Sequence, residues 1–190
     1  MIDLIHINKT FEKVNQINTQ INNREFEDCV FKNCDFSNSD FSNNTFMDCQ
    51  FFDCNLSMSK LKNSSLKSVS FKNCKLLGIP FNECTDFLFQ VDFQDCSIDY
   101  ASFSNKKMTK TKFLNCSLKE VNFVAANLTN AIFDNCNLDN AVFHETNLSQ
   151  ANFVTSFNFK IDPEFNLMLK ARFSNQGIIG LLDKHNIIIE

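Results

Sequence analysis

Cysteines and histidines are the residues of this chain whose types most suggest chemistry. The 190 residues contain nine cysteines and three histidines, a set that raises the questions of zinc binding, disulfide bonding and thiol catalysis. Pairs such as Cys29–Cys34 are separated by four intervening residues, which is not a zinc-ligand spacing, and the histidines lie far apart in sequence. Three glycines cannot build a phosphate-binding loop. We expect no catalytic residue, no metal and no cofactor, and therefore not an enzyme.

Large apolar residues recur at every fifth position, and this period predicts the kind of fold in which the cysteines lie. A first series runs without a miss through Phe26, Phe31, Phe36, Phe41, Phe46, Phe51, Leu56, Leu61, Leu66, Phe71, Leu76 and Phe81. A second series, two residues out of phase, runs from Leu88 at every fifth residue to Phe153. A period of five fits neither a helix nor a strand. The chain must turn a corner every five residues, which predicts a solenoid.

A longer period of twenty predicts four sides in each coil. Cys34, Cys54 and Cys74 recur at twenty, and residues twenty apart would then stack at the strand spacing of about 4.8 Å. The cysteines lie two residues before the apolar positions, so we interpret them as small buried side chains in a reducing compartment. A two-residue bulge near residues 85–89 would keep the stacked columns continuous across the change of phase.

The five-residue units resemble those of the pentapeptide repeat proteins. Cys34-Asp35-Phe36-Ser37-Asn38 and Ala126-Asn127-Leu128-Thr129-Asn130 match the family pattern of small, Asp/Asn, Leu/Phe, polar and variable residues. The resemblance covers about residues 26–157. It implies an all-β fold, a right-handed quadrilateral parallel β-helix, with a small helix-containing cap at the C-terminus.

Both ends depart from the repeat. Residues 1–25 predict a short N-terminal strand and a degenerate first coil, while residues 158–190 predict a C-terminal cap. In the cap we expect a strand over 165–173, a short helix over 175–184 and a last strand at 187–189. This segment would cover the open edge of the last coil or also form a two-fold dimer interface. The candidate interface residues are Phe173, Ile178, Ile179, Leu181, Leu182, Ile187 and Ile189.

The C-terminal segment contains Lys160-Ile161-Asp162-Pro163-Glu164, Lys170-Ala171-Arg172-Phe173-Ser174, Leu181-Leu182 and Ile187-Ile188-Ile189-Glu190. It resembles the C-terminus of bacterial pentapeptide proteins that protect DNA gyrase, of the quinolone-resistance, albicidin-resistance and microcin B17 immunity types. This resemblance implies a DNA mimic that binds DNA gyrase or topoisomerase IV, confers resistance to a quinolone or toxin, and forms a homodimer. The alternative is a structural or scaffolding module with a different protein partner.

Outward aspartates are the candidate partner-binding residues. They form an early and a late group, and lysines lie between the groups and among the late aspartates, so that basic bands interrupt the acidic ones. The candidates are Asp35, Asp40, Asp48, Asp53, Asp92, Asp95, Asp99, Asp134 and Asp139.

The bulge is a second candidate contact. We expect it to expose at least one aromatic residue, with Phe87 and Phe89 as candidates, unless it is only a structural kink. Lys106 falls at an inward position, where an unpaired ammonium group is costly. It should reach outward or meet a carboxylate.

Composition limits the remaining classes of partner. The net charge is −4 and the pI is near 5.4, which does not favour direct nucleic-acid binding. No apolar run approaches the roughly 20 residues of a membrane span, and the N-terminus lacks the pattern of a signal peptide. We expect a cytoplasmic protein with no membrane partner.

Overall fold

The computed structural model describes residues 3–188 and consists of stacked rectangular coils of chain. All strand pairs are parallel and join residues twenty apart, for example Phe31 with Phe51. The one exception is the step from Phe71 to Phe93, which spans 22 residues. The prediction of an all-β parallel β-helix is confirmed.

Short strands form two parallel sheets on adjacent sides of the coil, which we call side 1 and side 2. Side 1 carries a four-stranded sheet in the order β1-β3-β5-β7, and side 2 a seven-stranded sheet in the order β11-β10-β9-β8-β6-β4-β2. The strands are β1 (Ile5–Ile7), β2 (Thr10–Glu12), β3 (Glu25–Glu27), β4 (Val30–Lys32), β5 (Thr45–Met47), β6 (Gln50–Phe52), β7 (Ser65–Lys67), β8 (Val69–Lys72), β9 (Val91–Gln94), β10 (Lys112–Leu114) and β11 (Ile132–Asp134).

The other two sides are held by isolated parallel bridges. Side 3 follows the bridges Asp35–Asn55–Lys75–Ser97–Ser117–Asn137, and side 4 includes Pro80–Ser102–Asn122–Val142. Because the first described strands pair with β3 and β4, the chain before residue 26 also forms a coil.

The core is a set of stacked side-chain columns inside the coils. On side 2, nine phenylalanine rings stack face to face with centroids 4.4–5.4 Å apart. They are Phe11, Phe31, Phe51, Phe71, Phe93, Phe113, Phe133, Phe153 and Phe173. Edge-to-face contacts such as that between Phe103 on side 4 and Phe113 on side 2 join columns across the core. Both geometries are favoured for aromatic pairs.

The corners are made by residues in the left-handed conformation, with φ between 48° and 65°. Asparagine and aspartate tolerate this conformation better than other non-glycine residues because their side chains bond locally. Their abundance therefore explains how the chain turns so often with three glycines.

The C-terminal region differs from the strand–helix–strand expectation. Residues 166–173 continue the coil rather than forming one strand, because Asn147 bridges Leu167 and Phe153 stacks on Phe173. Two short 3-10 helices, Gly177–Leu181 and Asp183–His185, replace the expected helix. Ile187 and Ile188 are exposed and not in a strand, while Ile189 lies outside the described residues.

Candidate protein-contact surfaces

Eight of the nine cysteine thiols donate hydrogen bonds to main-chain carbonyls within the core. The thiol of Cys54 donates to the carbonyl of Phe31 in the preceding coil, and its sulfur accepts the N–H of Cys34 at 3.4 Å. Ser64 and Thr146 occupy equivalent inward positions and donate to carbonyls in the same way. These side chains therefore join consecutive coils.

Burial makes the thiols of Cys49 and Cys84 poor nucleophiles. It raises the pKa of Cys49 and of Cys84 to about 12, and the thiolate is the reactive form of cysteine. All nine cysteines are free and buried. Within residues 3–188, no group of three or more His, Cys, Asp or Glu side chains could hold a metal ion.

Seven of the nine candidate aspartates lie on sides 2 and 3 or at the corner between them. Asp92 and Asp134 belong to strands of side 2. Asp35, Asp99 and Asp139 lie on side 3, and Asp53 and Asp95 occupy the corner. The structure separates Asp40, on side 4, and Asp48, at the corner of sides 1 and 2, from this group.

A ladder of Asn and Asp side chains runs along the corner of sides 2 and 3. The amide of Asn115 donates to Asp95 at 3.0 Å, and the amide of Asn135 donates to Asn115 at 3.0 Å. Asn73 donates in the same way to Asp53. The carboxylates at this corner are therefore held in place rather than free to move.

Lysines on the same two sides divide the aspartates into bands. One coil presents Asp92, Asp95 and Asp99, whereas the coil before it presents Lys72 and Lys75. The coil after it presents Lys112 and Lys119. Sides 2 and 3 therefore carry alternating acidic and basic bands.

The two extra residues of the 22-residue step lie in the segment 85–89, which we call the insertion, and this segment exposes Phe87 and buries Phe89. The side chain of Phe87 is 73% exposed and that of Leu88 is 62% exposed, while Phe89 faces the core. This excludes Phe89 as a contact residue and Leu88 as an inward position. Leu88 adopts φ 58° at the turn, so the next residue, Phe89, points inward, followed by the inward residues Val91 and Phe93.

Lys106 anchors the insertion from inside the core. Although the residue is only 3% exposed, its Nζ donates to the carbonyl of Cys84 and to Oδ1 of Asp86 at 2.6 Å. The same nitrogen lies 5.4 Å from the centre of the Phe89 ring. Lys106 thus meets a carboxylate, one of the two outcomes that its inward position predicted, and it fixes both ends of the insertion.

The C-terminal candidate residues divide into exposed and partly buried groups. Ile178, Ile179, Leu182 and Ile187 are exposed, while Phe173 and Leu181 pack against the core. Gly180 lies against the main chain of Phe159, where a Cβ would be 2.1 Å from the carbonyl oxygen. The cap is therefore closely packed on the last coil.

A cleft of about 680 Å³ lies between the last coil and the cap. Its apolar lining includes Val154, Phe157 and Ile179, and the carboxylates of Asp139 and Asp183 also line it. No pattern in the sequence predicts this cleft. The five-residue period ends near Phe157, and nothing in the sequence shows where the cap folds back.

Protein-family models match most of the repeat region. A model described as a pentapeptide repeat region matches residues 24–103 and 45–123, and a model of pentapeptide repeats in eight copies matches residues 122–156. No curated protein sequence matches the chain.

Solved structures with a similar fold have low sequence identity to the chain. HetL, a pentapeptide repeat protein involved in heterocyst differentiation regulation from the cyanobacterium Nostoc sp. strain PCC 7120, is 13% identical. The match covers 91% of this chain and 87% of HetL, with a TM-score of 0.54. A trypsin-treated form of QnrB1, a plasmid-mediated fluoroquinolone resistance protein, is 20% identical over 95% of this chain and 100% of its own, with a TM-score of 0.49.

The described residues contain no helix long and apolar enough to cross a bilayer.

Proposed function

The chain belongs to the pentapeptide repeat family, and from this premise we propose that it is a non-enzymatic rod that binds another protein through its outer surface. Two observations support this proposal. The nucleophilic side chains are buried as core thiols, whereas charged and apolar groups are held in fixed positions on the outside. A binding function needs such a fixed surface and no reactive group.

The more specific proposal is that the partner is DNA gyrase or topoisomerase IV and that binding protects it from a quinolone or a toxin. The resemblance of residues 160–190 to gyrase-protecting proteins supports it. The observation that carries the proposal is the band of Asp92, Asp95 and Asp99, which presents three carboxylates in one coil. A DNA-binding groove recognises closely spaced negative charges.

The arrangement of charges favours local rather than uniform DNA mimicry. Lys72 and Lys75 precede the band, and Lys112 and Lys119 follow it. Because lysines would be repelled by a basic groove, we infer that one acidic band makes the main contact, not the whole rod.

Supercoiling by purified gyrase, with and without a quinolone, tests this proposal. The protein should restore supercoiling in the presence of the drug, and a variant with Asp92→Asn, Asp95→Asn and Asp99→Asn should restore less. Asparagine keeps a side-chain oxygen that can accept the N–H groups of Lys112 and Lys119, which these aspartates now bind. The variant therefore removes charge with little change in structure.

The matched control removes three acids from another side. Glu25→Gln, Glu27→Gln and Asp28→Asn change the charge by the same amount on and beside side 1. This control should protect gyrase as the wild type does. Absence of binding, protection and inhibition with the wild-type protein would sink the topoisomerase proposal.

We also propose that the protein is a cytoplasmic homodimer joined through its C-terminal end. Exposed Ile178 and Leu182 support the dimer, and nine free thiols support a reducing compartment. In sedimentation analysis at low protein concentration, the Ile178→Ser, Leu182→Ser variant should be a monomer where the wild type is a dimer.

The alternative proposal is a scaffolding module with another protein partner. The alternating acidic and basic bands favour it, since they fit a partner with its own mixed charges better than a uniformly basic groove. Affinity capture that contains no topoisomerase subunit, together with inactivity in the supercoiling assay, would support this alternative.

A further inference from the structure

The insertion presents two large apolar side chains to solvent in a fixed position. We call Phe87 and Leu88 the knob. Lys106 binds Cys84 and Asp86 on the N-terminal side of the knob and contacts the Phe89 ring on its C-terminal side. A preorganised contact loses little conformational entropy on binding. The knob therefore has the properties of an interface anchor rather than of a mobile loop.

Lysines surround the knob on side 1. The ammonium group of Lys67, one coil before, lies 5.6 Å from the centre of the Phe87 ring. Lys107 and Lys110 are exposed in the coil that follows. The nearby carboxylate of Asp86 is already paired with Lys106. The knob is thus an apolar tip with a positive rim, and it fits an apolar pocket with acidic groups at its edge.

The cleft at the C-terminal end has this complementary character. Val154, Phe157 and Ile179 supply apolar surface, and Asp139 and Asp183 supply carboxylates. Lys160 pairs with Asp183 at 3.1 Å, which leaves Asp139 as the carboxylate of the lining without an ion-pair partner among the described residues. The apolar groups and the carboxylate needed to receive the knob therefore occur together in this cleft.

We propose that the knob of one copy of the chain inserts into the cleft of a second copy. The two surfaces face different directions, because the knob is on side 1 in the middle of the rod and the cleft is at its C-terminal end. Such a contact is heterologous, and it leaves one knob and one cleft free in every pair. The protein therefore assembles reversibly into open chains. This inference does not depend on a topoisomerase partner.

Sedimentation velocity over a wide range of protein concentration tests the contact. The wild type should form species larger than a dimer, whose proportion rises with concentration. Phe87→Ser should weaken this growth about tenfold or more. Tyr100→Ser is the control, since Tyr100 is also an exposed aromatic ring but lies at another corner. It should assemble as the wild type does.

A substitution in the cleft tests the other half of the proposed contact. Val154→Arg places bulk and positive charge in the cleft, where it would repel the lysines around an incoming knob, and it should also stop growth. Val142→Arg is the matched control, because Val142 is an exposed valine on side 4. Circular dichroism and thermal unfolding of each variant should match the wild type, which excludes misfolding as the cause.

Mixing the two defective variants separates a heterologous contact from every two-fold contact. Phe87→Ser retains its cleft and Val154→Arg retains its knob, so an equimolar mixture can form one new contact per pair and no more. To prevent the C-terminal dimer from obscuring this result, both chains also carry Ile178→Ser and Leu182→Ser. The mixture should give a one-to-one dimer where each variant alone is a monomer.

A fluorescent reporter measures burial of the knob directly. The chain contains no tryptophan, so Phe87→Trp adds a single one at the knob. Its emission should shift to shorter wavelength as concentration rises, and Val154→Arg in the same chain should abolish the shift. A wild-type mass that does not increase beyond the dimer at any concentration would overturn the proposal. A mixture that remains monomeric would overturn it too.

Discussion

Sides 1 and 2 are built from the same five-residue units, yet the two extra residues of the insertion affect their structures differently. Side 2 passes the step from Phe71 to Phe93 without interrupting its ring column. On side 1 the sheet stops at β7, and the chain leaves the coil between Cys84 and Phe89. In the ring column of side 2, every ring except the two at its ends stacks on two equivalent rings, so many similar contacts stabilise it. On the interrupted side, Lys106 is the side chain that links the two ends of the insertion, beside main-chain hydrogen bonds from Thr85 and Gln90 to the preceding coil.

The inward position two residues before the apolar centre shows the same contrast. On sides 2 and 3 this position is mostly filled by small residues such as Cys54, whose thiol donates to the carbonyl of Phe31 in the preceding coil. On side 1 after the insertion it is filled by Lys106, whose longer side chain reaches Cys84 and Asp86. The comparison therefore predicts large stability losses from the ring column and local losses from Lys106.

The largest expected effect is that of Phe113→Ala. Phe113 is fully buried between Phe93 and Phe133, so the substitution leaves a cavity and should lower the free energy of unfolding by about 3–5 kcal/mol. Urea unfolding followed by circular dichroism measures this loss. Phe87→Ala is the control and should change the stability by less than about 0.5 kcal/mol, because the ring is exposed. Similar losses at both positions would refute the stacked-column account.

A smaller effect is expected from Lys106→Met. The carbonyl of Cys84 loses its charged donor, which should cost about 1–3 kcal/mol. Asp86 is largely exposed and can be hydrated instead. Hydrogen exchange should accelerate at residues 85–90 and remain unchanged on side 2. Lys107→Met, at an exposed position, is the control. Unchanged exchange in the insertion would show that Lys106 does not anchor it.

The smallest expected effect concerns His6 and appears only in acid. His6 is 2% exposed and stacks on Phe26, and neither ring nitrogen has a hydrogen-bond partner among residues 3–188. Burial lowers its pKa below the ordinary 6.5, and the charges of Lys9 and Arg24 act in the same direction, against that of Asp3.

The unfolded chain therefore binds a proton on His6 at a pH where the folded chain does not. Stability should be complete above pH 6.5 and should fall as the pH drops from there to the lowered folded pKa. His6→Phe should remove this part of the pH dependence, as measured by urea unfolding at a series of pH values. If both proteins lose stability equally between neutral and mildly acidic pH, His6 is not the responsible group.

The fold could be predicted because the repeat records it many times. Twenty-residue spacing of phenylalanines and cysteines gives the number of sides and the stacking without any knowledge of individual contacts. The same spacing also holds at the C-terminus, where Phe173 is twenty residues after Phe153 and Met168 is twenty after Leu148. The five-residue period obscured it, because Asn158 and Pro163 interrupt the series there.

The candidate surfaces were less predictable because they depend on single residues. In the insertion, the consecutive apolar residues Phe87, Leu88 and Phe89 are all candidates for an inward position in the sequence. Because Leu88 adopts a left-handed conformation, Phe89 is the one that faces the core. The grouping of aspartates on sides 2 and 3 follows from the coil period. The position of the cleft does not follow from it, because it depends on how the helix Gly177–Leu181 packs on Phe159.

The twenty-residue register has a consequence for how the gene of such a protein can change. Each coil contacts only the coils before and after it, so duplication or deletion of twenty codons would add or remove one coil and leave every column aligned. A change of one codon would instead move inward residues to the outside of every later strand. The 22-residue step between β8 and β9 shows the other tolerated change, in which the surplus residues leave the coil as a surface loop. Lineages of this protein should therefore differ in length by multiples of twenty residues or by short loops at corners.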